Sequence, residues 1–504
     1  MSLGDNENTT ATVDIKALET ALEIETAHEA DSAAERHVIR KIDTYLLPML
    51  SFMLLVAFLD RTNIGNAKIQ GMTTDLNMKG TDYNIALFLH TVQRSFEPLP
   101  TVYLSSRSDV LLGLAASALL FCRRELFLPW LSLPGIITIG EGVTQSYAGL
   151  VVCRVLLGCM EAGFYPGAIY LLAMYYPRYE LQTRLSIYYS ASILSSAFGG
   201  LLAYAIAHMD NVGGYGAWRW IFILEGIITV FVAIVAFFLL PDWPHQAKFL
   251  SDDERNRLLQ MLSRDTRDYV ETKTTFTVMK DCLKDMKVYM SALIYFGTAI
   301  TGSSSGYFLP TILHDLGWTA IKAQYMSIPV WITAWAISIV VGYCSDKTKH
   351  RYGFVMGPLC FCLVGYAILL AQKSVVVGVR FMAVFFLVGG CFASITISLT
   401  WLNNNIVGSR RRGISTAIML AVGNCGSIVG SNVYLASEAP WYPTGYSVSL
   451  AGVVISQVCA TIYLLHVRRE NKAKERGERD AHLSLTREEQ DALADKHVNY
   501  RYTY

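Results

Sequence analysis

Apolar residues along the chain come in blocks of roughly twenty, separated by short charged runs. This is the pattern of helices that cross a bilayer core at about 1.5 Å per residue. The first block spans 45–60 and ends in Leu59-Asp60-Arg61-Thr62-Asn63-Ile64-Gly65. If that helix continues toward Gly71, its polar residues face the protein interior. Residues 83–146 are irregular: 83–89 begins like a span, 110–122 is short for a crossing, and 126–139 carries Pro129 and Pro134. Two spans are expected there. From 149 the pattern is regular, with blocks at 149–176, 185–207 and 218–240, then 288–313, 323–343, 353–371, 376–402, 414–437 and 446–466. The expected fold is an all-α membrane protein of about twelve transmembrane helices in two six-helix halves, with the helix 2 region atypical.

The expected organisation follows. Residues 1–36, rich in Glu, Asp, Ala and Thr, form a disordered acidic cytosolic tail with a short helix in its second half. Residues 37–240 are the N-terminal half, 241–287 a cytoplasmic middle loop, 288–466 the C-terminal half, and 467–504 a cytosolic tail. The middle loop holds nine Lys/Arg and nine Asp/Glu. Arg178, Arg184, Lys347, Lys349, Arg351 and Arg410 to Arg412 fall on the same side as that loop, which places both termini in the cytoplasm.

The composition supports a membrane protein. The chain is 53% hydrophobic and 16% charged, against about 25% charged in ordinary soluble proteins. A net charge of +1 gives no strong field toward nucleic acid. The ten cysteines show neither zinc-site nor disulfide spacing and read as packing residues. No nucleotide loop, metal cluster or nucleophile–base pattern points to an enzyme or a cofactor. There is no cleavable leader pattern before the first apolar run.

The chemistry centres on Arg154-Val-Leu-Leu-Gly158-Cys-Met-Glu161-Ala-Gly163-Phe-Tyr-Pro166-Gly167, inside the 149–176 block. An arginine and a glutamate in a spanning helix each cost roughly 2.5–3.5 kcal/mol at the bilayer centre. Seven residues apart, they share a helix face. An anion-holding arginine with a titrating carboxylate is favoured over a structural ion pair, because ionisable groups within the membrane are usually functional. Glu225 is a weaker candidate and can instead pair with Arg219, six residues earlier. Tyr307, Trp331, Trp335 and Trp401 suit stacking on a flat ring, although aromatics at helical spacing more often pack. Asn424 and Asn403 to Asn405 suit substrate binding or interhelical hydrogen bonds. Ser303-Ser304-Ser305, flanked by Gly302 and Gly306, suggests a discontinuous helix.

The segments Leu59 to Gly65, Arg154 to Gly167, Gly216-Ala-Trp-Arg-Trp-Ile-Phe-Ile-Leu-Glu-Gly226 and Leu240-Pro-Asp-Trp-Pro244 resemble the anion:cation symporter branch of the major facilitator superfamily. They are similar in particular to the fungal allantoate permease group. The Ala207-His-Met-Asp-x-Val-Gly-Gly-Tyr-Gly216 run looks most like members described as nicotinic acid transporters. Gly342-Tyr-Cys-Ser-Asp346-Lys347 with Arg351 resembles the superfamily's loop signature between spans eight and nine, which implies a conformational latch. The matching copy between spans two and three is missing. Residues 90–134 depart from the pattern while both flanks obey it, and these abrupt boundaries point to a gene-model fault such as a retained intron or frame slip.

The resemblance implies a proton-coupled importer of a small organic anion, such as nicotinate, in the plasma membrane. It is read as monomeric, with lipid, anion and proton as its partners. Arg154 is the first candidate for the substrate carboxylate, with Arg61 and Asn63 second, and Glu161 carries the proton. The alternatives are a permease for allantoate, pantothenate or a biotin-like anion, a non-transporting nutrient sensor, or an inactive product of the faulty gene model.

Overall fold

The computed structural model describes residues 7–95, 124–161, 164–176, 178–240, 244–267, 275–478 and 500–504. Among these, all the regular secondary structure is helical. The helices of the first half are α1 (Glu7–Ala67), α2 (Asp82–Ser95), α3 (Arg124–Val143), α4 (Tyr147–Glu161), α5 (Phe164–Tyr175), α6 (Arg178–Ile206) and α7 (Ala217–Leu239). Two connecting helices follow, α8 (Asp252–Arg267) and α9 (Thr275–Leu283). The second half comprises α10 (Met286–Asp315), α11 (Ala320–Thr348), α12 (Tyr352–Leu370), α13 (Val377–Asn404), α14 (Ser409–Asn432) and α15 (Pro443–Glu475). Eight segments of the described residues are long and apolar enough to cross a membrane.

Three stretches take definite form in the structure. Helix α1 runs from Glu7, and the Ala, Leu and Glu content of residues 7–36 favours helix. It also runs past residue 60 to Ala67, then opens into a single wider turn, Lys68–Met72. Asp60 and Asn63 are accordingly buried. Helix α10 passes through Ser303 to Ser305 unbroken, and Ser304 donates to the carbonyls of Ile300 (2.8 Å) and Gly430 (3.1 Å). Ser304 ties α10 to α14, and the run does not interrupt the helix. In the irregular region, α3 carries both Pro129 and Pro134 inside one helix, and Thr138 donates to the carbonyl of Pro134 at 3.0 Å. Residues 96–123 lie outside the described residues.

Each half packs as its own bundle: α1 against α6 and α7, α3 against α7, and α10 against α13, α14 and α15. Across the seam between the bundles, α6 packs on α11, α2 on α14, and α1 on α10. The two ends of the molecule differ. At the terminal face, the entry to α1, helices α8 and α9 and residues 500–504 gather. Ser251 and Glu254 cap α8 reciprocally, at 3.3 and 2.8 Å, and Glu254 accepts from Lys41 of α1 at 2.7 Å.

At the opposite end, the far face, the seam is closed. Tyr83 donates to the carbonyl of Tyr307 at 3.5 Å, and Asn84 donates to the carbonyls of Asn432 and Tyr434, both at 3.3 Å. Lys68 sits over the rings of Tyr83 (4.4 Å) and Phe308 (5.1 Å). Two glycines permit this closeness. A Cβ on Gly65 would lie 2.5 Å from the Tyr307 carbonyl oxygen, and one on Gly200 would lie 2.6 Å from Ser327 Oγ.

Gly65→Ala is therefore expected to resist closure of the far face. Maleimide labelling of a cysteine introduced at Tyr83 should quicken in that background, and unchanged labelling would show that the contact can yield. At the terminal face, the hydrogen bond from Lys41, then that from the Ser251 amide, holds the Glu254 carboxyl below its ordinary value of about 4.5. The contact thus stabilises α8 above that value and is lost as pH falls through the lowered one. Glu254→Gln should speed amide exchange across 252–262 at pH 7, by a margin that narrows in acid.

Candidate functional site

Within the first bundle, α1, α3, α4 and α7 bring five ionisable side chains together. Arg154 on α4 is 1% exposed, and its Nη2 lies 2.8 Å from Glu141 Oε2 on α3, itself 0% exposed. Arg154 Nη1 also donates to the Asp60 carbonyl at 3.4 Å, and its guanidinium lies over the Phe222 ring at 5.4 Å. Asp60, Glu161 and Glu225 are buried beside it. Asp60 feels the charges of Glu161, Glu141 and Arg154, and Glu225 those of Asp60, Arg154 and Glu141. Four carboxyl groups thus surround one guanidinium in an apolar interior.

Sequence reasoning puts Glu161 and Arg154 on one face, and both do point into this cluster. It misses Glu141 as the partner, because Glu141 sits in the irregular stretch where no span is clean. The available signal was an acidic residue two turns after Pro134, in an otherwise apolar run. Glu225 does not take the Arg219 partnership. Arg219 donates to the carbonyls of Gly142 and Thr144 and stacks on Trp218 at 4.4 Å. Asp60 and Glu161 also line a small cavity of about 30 Å³ with Met53, Pro134 and Phe164, room for about one water molecule.

A second constellation lies on the seam. Arg61, half-buried on α1, donates Nε to the Tyr307 hydroxyl of α10 at 2.9 Å and Nη2 to Ser303 Oγ at 3.4 Å. Its guanidinium also faces the rings of Phe58 (5.7 Å) and Tyr307 (5.4 Å). The structure thus unites two residues that lie 246 positions apart in the chain.

The remaining candidates separate from these. Asn63 is fully buried and turns toward α6, where Gly199 packs against it, and it accepts from Asn66 at 3.2 Å. Trp331 lies in an apolar cluster with Ile193, Ala197 and Val388, edge-on to Phe392 at 5.5 Å. Asn424 is half-buried on α14.

At the terminal face, Asp346 pairs with Arg351 at 2.6 Å, and Arg351 also donates to Ser345 Oγ at 2.9 Å. Lys347 is exposed, and nothing crowds Gly342. Of the four residues expected to form a latch, Asp346 and Arg351 pair with each other within the second bundle.

The model of the Major Facilitator Superfamily matches residues 50–431 and 291–498. The chain belongs to this superfamily. Its members here are transporters rather than enzymes. The MFS-type transporter cnsO of Penicillium expansum is 36% identical over 457 residues, covering 88% of this chain and 85% of that one. The high-affinity nicotinic acid transporter of Saccharomyces cerevisiae is 30% identical over 474 residues, covering 93% and 85%. Among solved structures, a bacterial homologue of the human lysosomal transporter Spinster matches with a TM-score of 0.61 at 16% identity, covering 84% of this chain and 97% of that one. The xylose transporter XylE of E. coli matches at 0.60 and 14%, covering 82% and 96%. These two likenesses establish the major facilitator fold.

Removing one partner of a buried ion pair costs about 3–5 kcal/mol, whereas replacing both is far milder. Arg154→Gln alone should lower the melting temperature of the purified protein, and Arg154→Gln with Glu141→Gln should recover much of the loss. A double variant no more stable than the single one would mean that Glu141 is not the group Arg154 neutralises.

Proposed function

We propose that this major facilitator superfamily member imports a small organic anion, a monocarboxylate such as nicotinate, together with a proton. It works as a monomer in the plasma membrane by alternating access, with the terminal face in the cytoplasm. The observation that carries the reading is Arg61. It is a guanidinium on the seam between the bundles, where an alternating-access substrate site lies, and among the described residues it is met by neutral hydroxyls and ring faces. A carboxylate is a better acceptor than either hydroxyl and can engage the guanidinium fork with both oxygens. Tyr307 supplies a ring beside it for a flat substrate.

Arg154 takes a different part. Enclosed and matched to Glu141, it organises the carboxyl cluster and keeps the substrate role secondary. An excess of carboxyl groups over one guanidinium is what a proton-carrying site requires. Glu161, with Asp60 across the shared cavity, is the proposed carrier, and Glu225 belongs to the same network. Gly342, Asp346, Lys347 and Arg351 form the latch that re-pairs as the terminal face opens and closes. The nicotinic acid transporter among the relatives supports the substrate class, and the concentration of basic residues on the terminal face supports the orientation.

The test is uptake of labelled nicotinate at pH 5 and pH 7 in transporter-deficient cells, with surface expression checked. Uptake should be faster at pH 5. Arg61→Ala should cut it about tenfold or more, the loss expected for two hydrogen bonds to a charged group. Glu161→Gln should flatten the pH dependence. Uptake of allantoate or pantothenate in its place would change the substrate, and full uptake by Arg61→Ala would overturn the site.

A further inference from the structure

Residues 500–504, Tyr-Arg-Tyr-Thr-Tyr, lie in a groove on the terminal face of the second bundle. The ends of α13 and α15, the start of α10 and the turn before α12 form its walls. Two buried asparagines read the backbone of successive residues. Asn405 Oδ1 accepts the Thr503 amide at 2.8 Å, and its Nδ2 donates to the Thr503 carbonyl at 3.1 Å. Asn471 Oδ1 accepts the Tyr502 amide at 3.0 Å, and its Nδ2 donates to the Tyr502 carbonyl at 2.9 Å. A primary amide carries one acceptor and a pair of donors, so each asparagine matches the N–H and C=O of one residue.

The side chains add to this. Tyr502 is 7% exposed. The ammonium groups of Lys287 and Lys474 lie over its ring at 4.5 and 4.4 Å. Lys474 Nζ donates to the Tyr500 carbonyl at 3.0 Å, and Trp401 Nε1 donates to the Thr503 carbonyl at 3.0 Å. The Tyr500 hydroxyl donates to the Asn404 carbonyl. At the end of the segment, the backbone amide of Arg351 donates to the Tyr504 carbonyl. The same Arg351 holds Asp346.

We propose that this groove is a peptide-recognition site, and that its occupant, residues 500–504, is a releasable strap that holds Arg351 in place. The recognised chemistry is a short peptide with free N–H and C=O groups at two successive residues and tyrosines at alternate positions. Seated, the strap binds α10, α13, α15 and the Arg351 turn into one block. Released, it frees Arg351 to change partners, so residues 500–504 control the latch. The regulatory half of this inference rests on the reading of residues 342–351 as a latch.

The test uses the full-length purified transporter and needs no transported substrate, so its failure is distinct from failure of the anion reading. Thr503→Pro removes the amide that Asn405 accepts while leaving the groove intact. That variant should bind a fluorescent Tyr-Arg-Tyr-Thr-Tyr peptide, whereas the unaltered protein, its groove filled, should not. Adding Asn471→Ala should weaken the peptide about tenfold, as expected for two lost hydrogen bonds. By amide exchange, the Arg351 N–H should exchange faster in Thr503→Pro and slow again when the peptide is added. No peptide binding to Thr503→Pro, or equal binding with and without Asn471→Ala, would overturn the recognition site. Unaltered Arg351 exchange would overturn the strap.

Discussion

A guanidinium cannot sit inside a helix bundle without a counter-charge nearby, and the first half of this protein is arranged around that constraint. Arg154 is enclosed, so the helix that supplies its partner must come close. Helix α3 does so with Glu141, and α1 adds a backbone carbonyl from Asp60. The buried carboxyls of Asp60 and Glu225 then fall within the field of the same charge, and Glu161 lies beside Asp60. Helices α1, α3, α4 and α7 are thus held in register by electrostatics as well as packing. An apolar substitution at Arg154 would remove the charge that these helices share.

The two arginines divide the work by burial. Arg154 lies within one bundle and is matched by a carboxylate. Arg61 lies between bundles and is met by hydroxyls and rings. A charge already neutralised by a short-range partner has little left to offer a ligand. A charge held by neutral groups keeps most of its attraction. The seam is also where relative motion of the halves changes a residue's surroundings most.

Much of this was legible in the chain. Apolar blocks near twenty residues gave the spans, and Arg154, Glu161 and Arg61 stood out as charges in apolar company. What was hidden has physical reasons. Glu141 lay in a proline-bearing run whose helix is stabilised by packing rather than by local propensity. The meeting of Arg61 with Tyr307 joins residues from different halves, and no local pattern encodes such a pairing. Asn63 and Trp331 were placed on the right helices, but one-dimensional spacing does not say which neighbour each will face. The docking of residues 500–504 was equally invisible, since polar and aromatic residues in a charged tail look like solvated chain until Asn405 and Asn471 are seen opposite them.

Tyr307 serves two neighbours with two different parts of itself. Its hydroxyl accepts from Arg61 on the seam between the bundles, while its backbone carbonyl faces Gly65 and takes the Tyr83 hydroxyl at the far-face closure. The distance between these contacts is the length of one side chain. No relay of intermediate residues separates the two contacts: a shift of this one residue along the helix axis alters both, so the seam and the far-face closure share an axle.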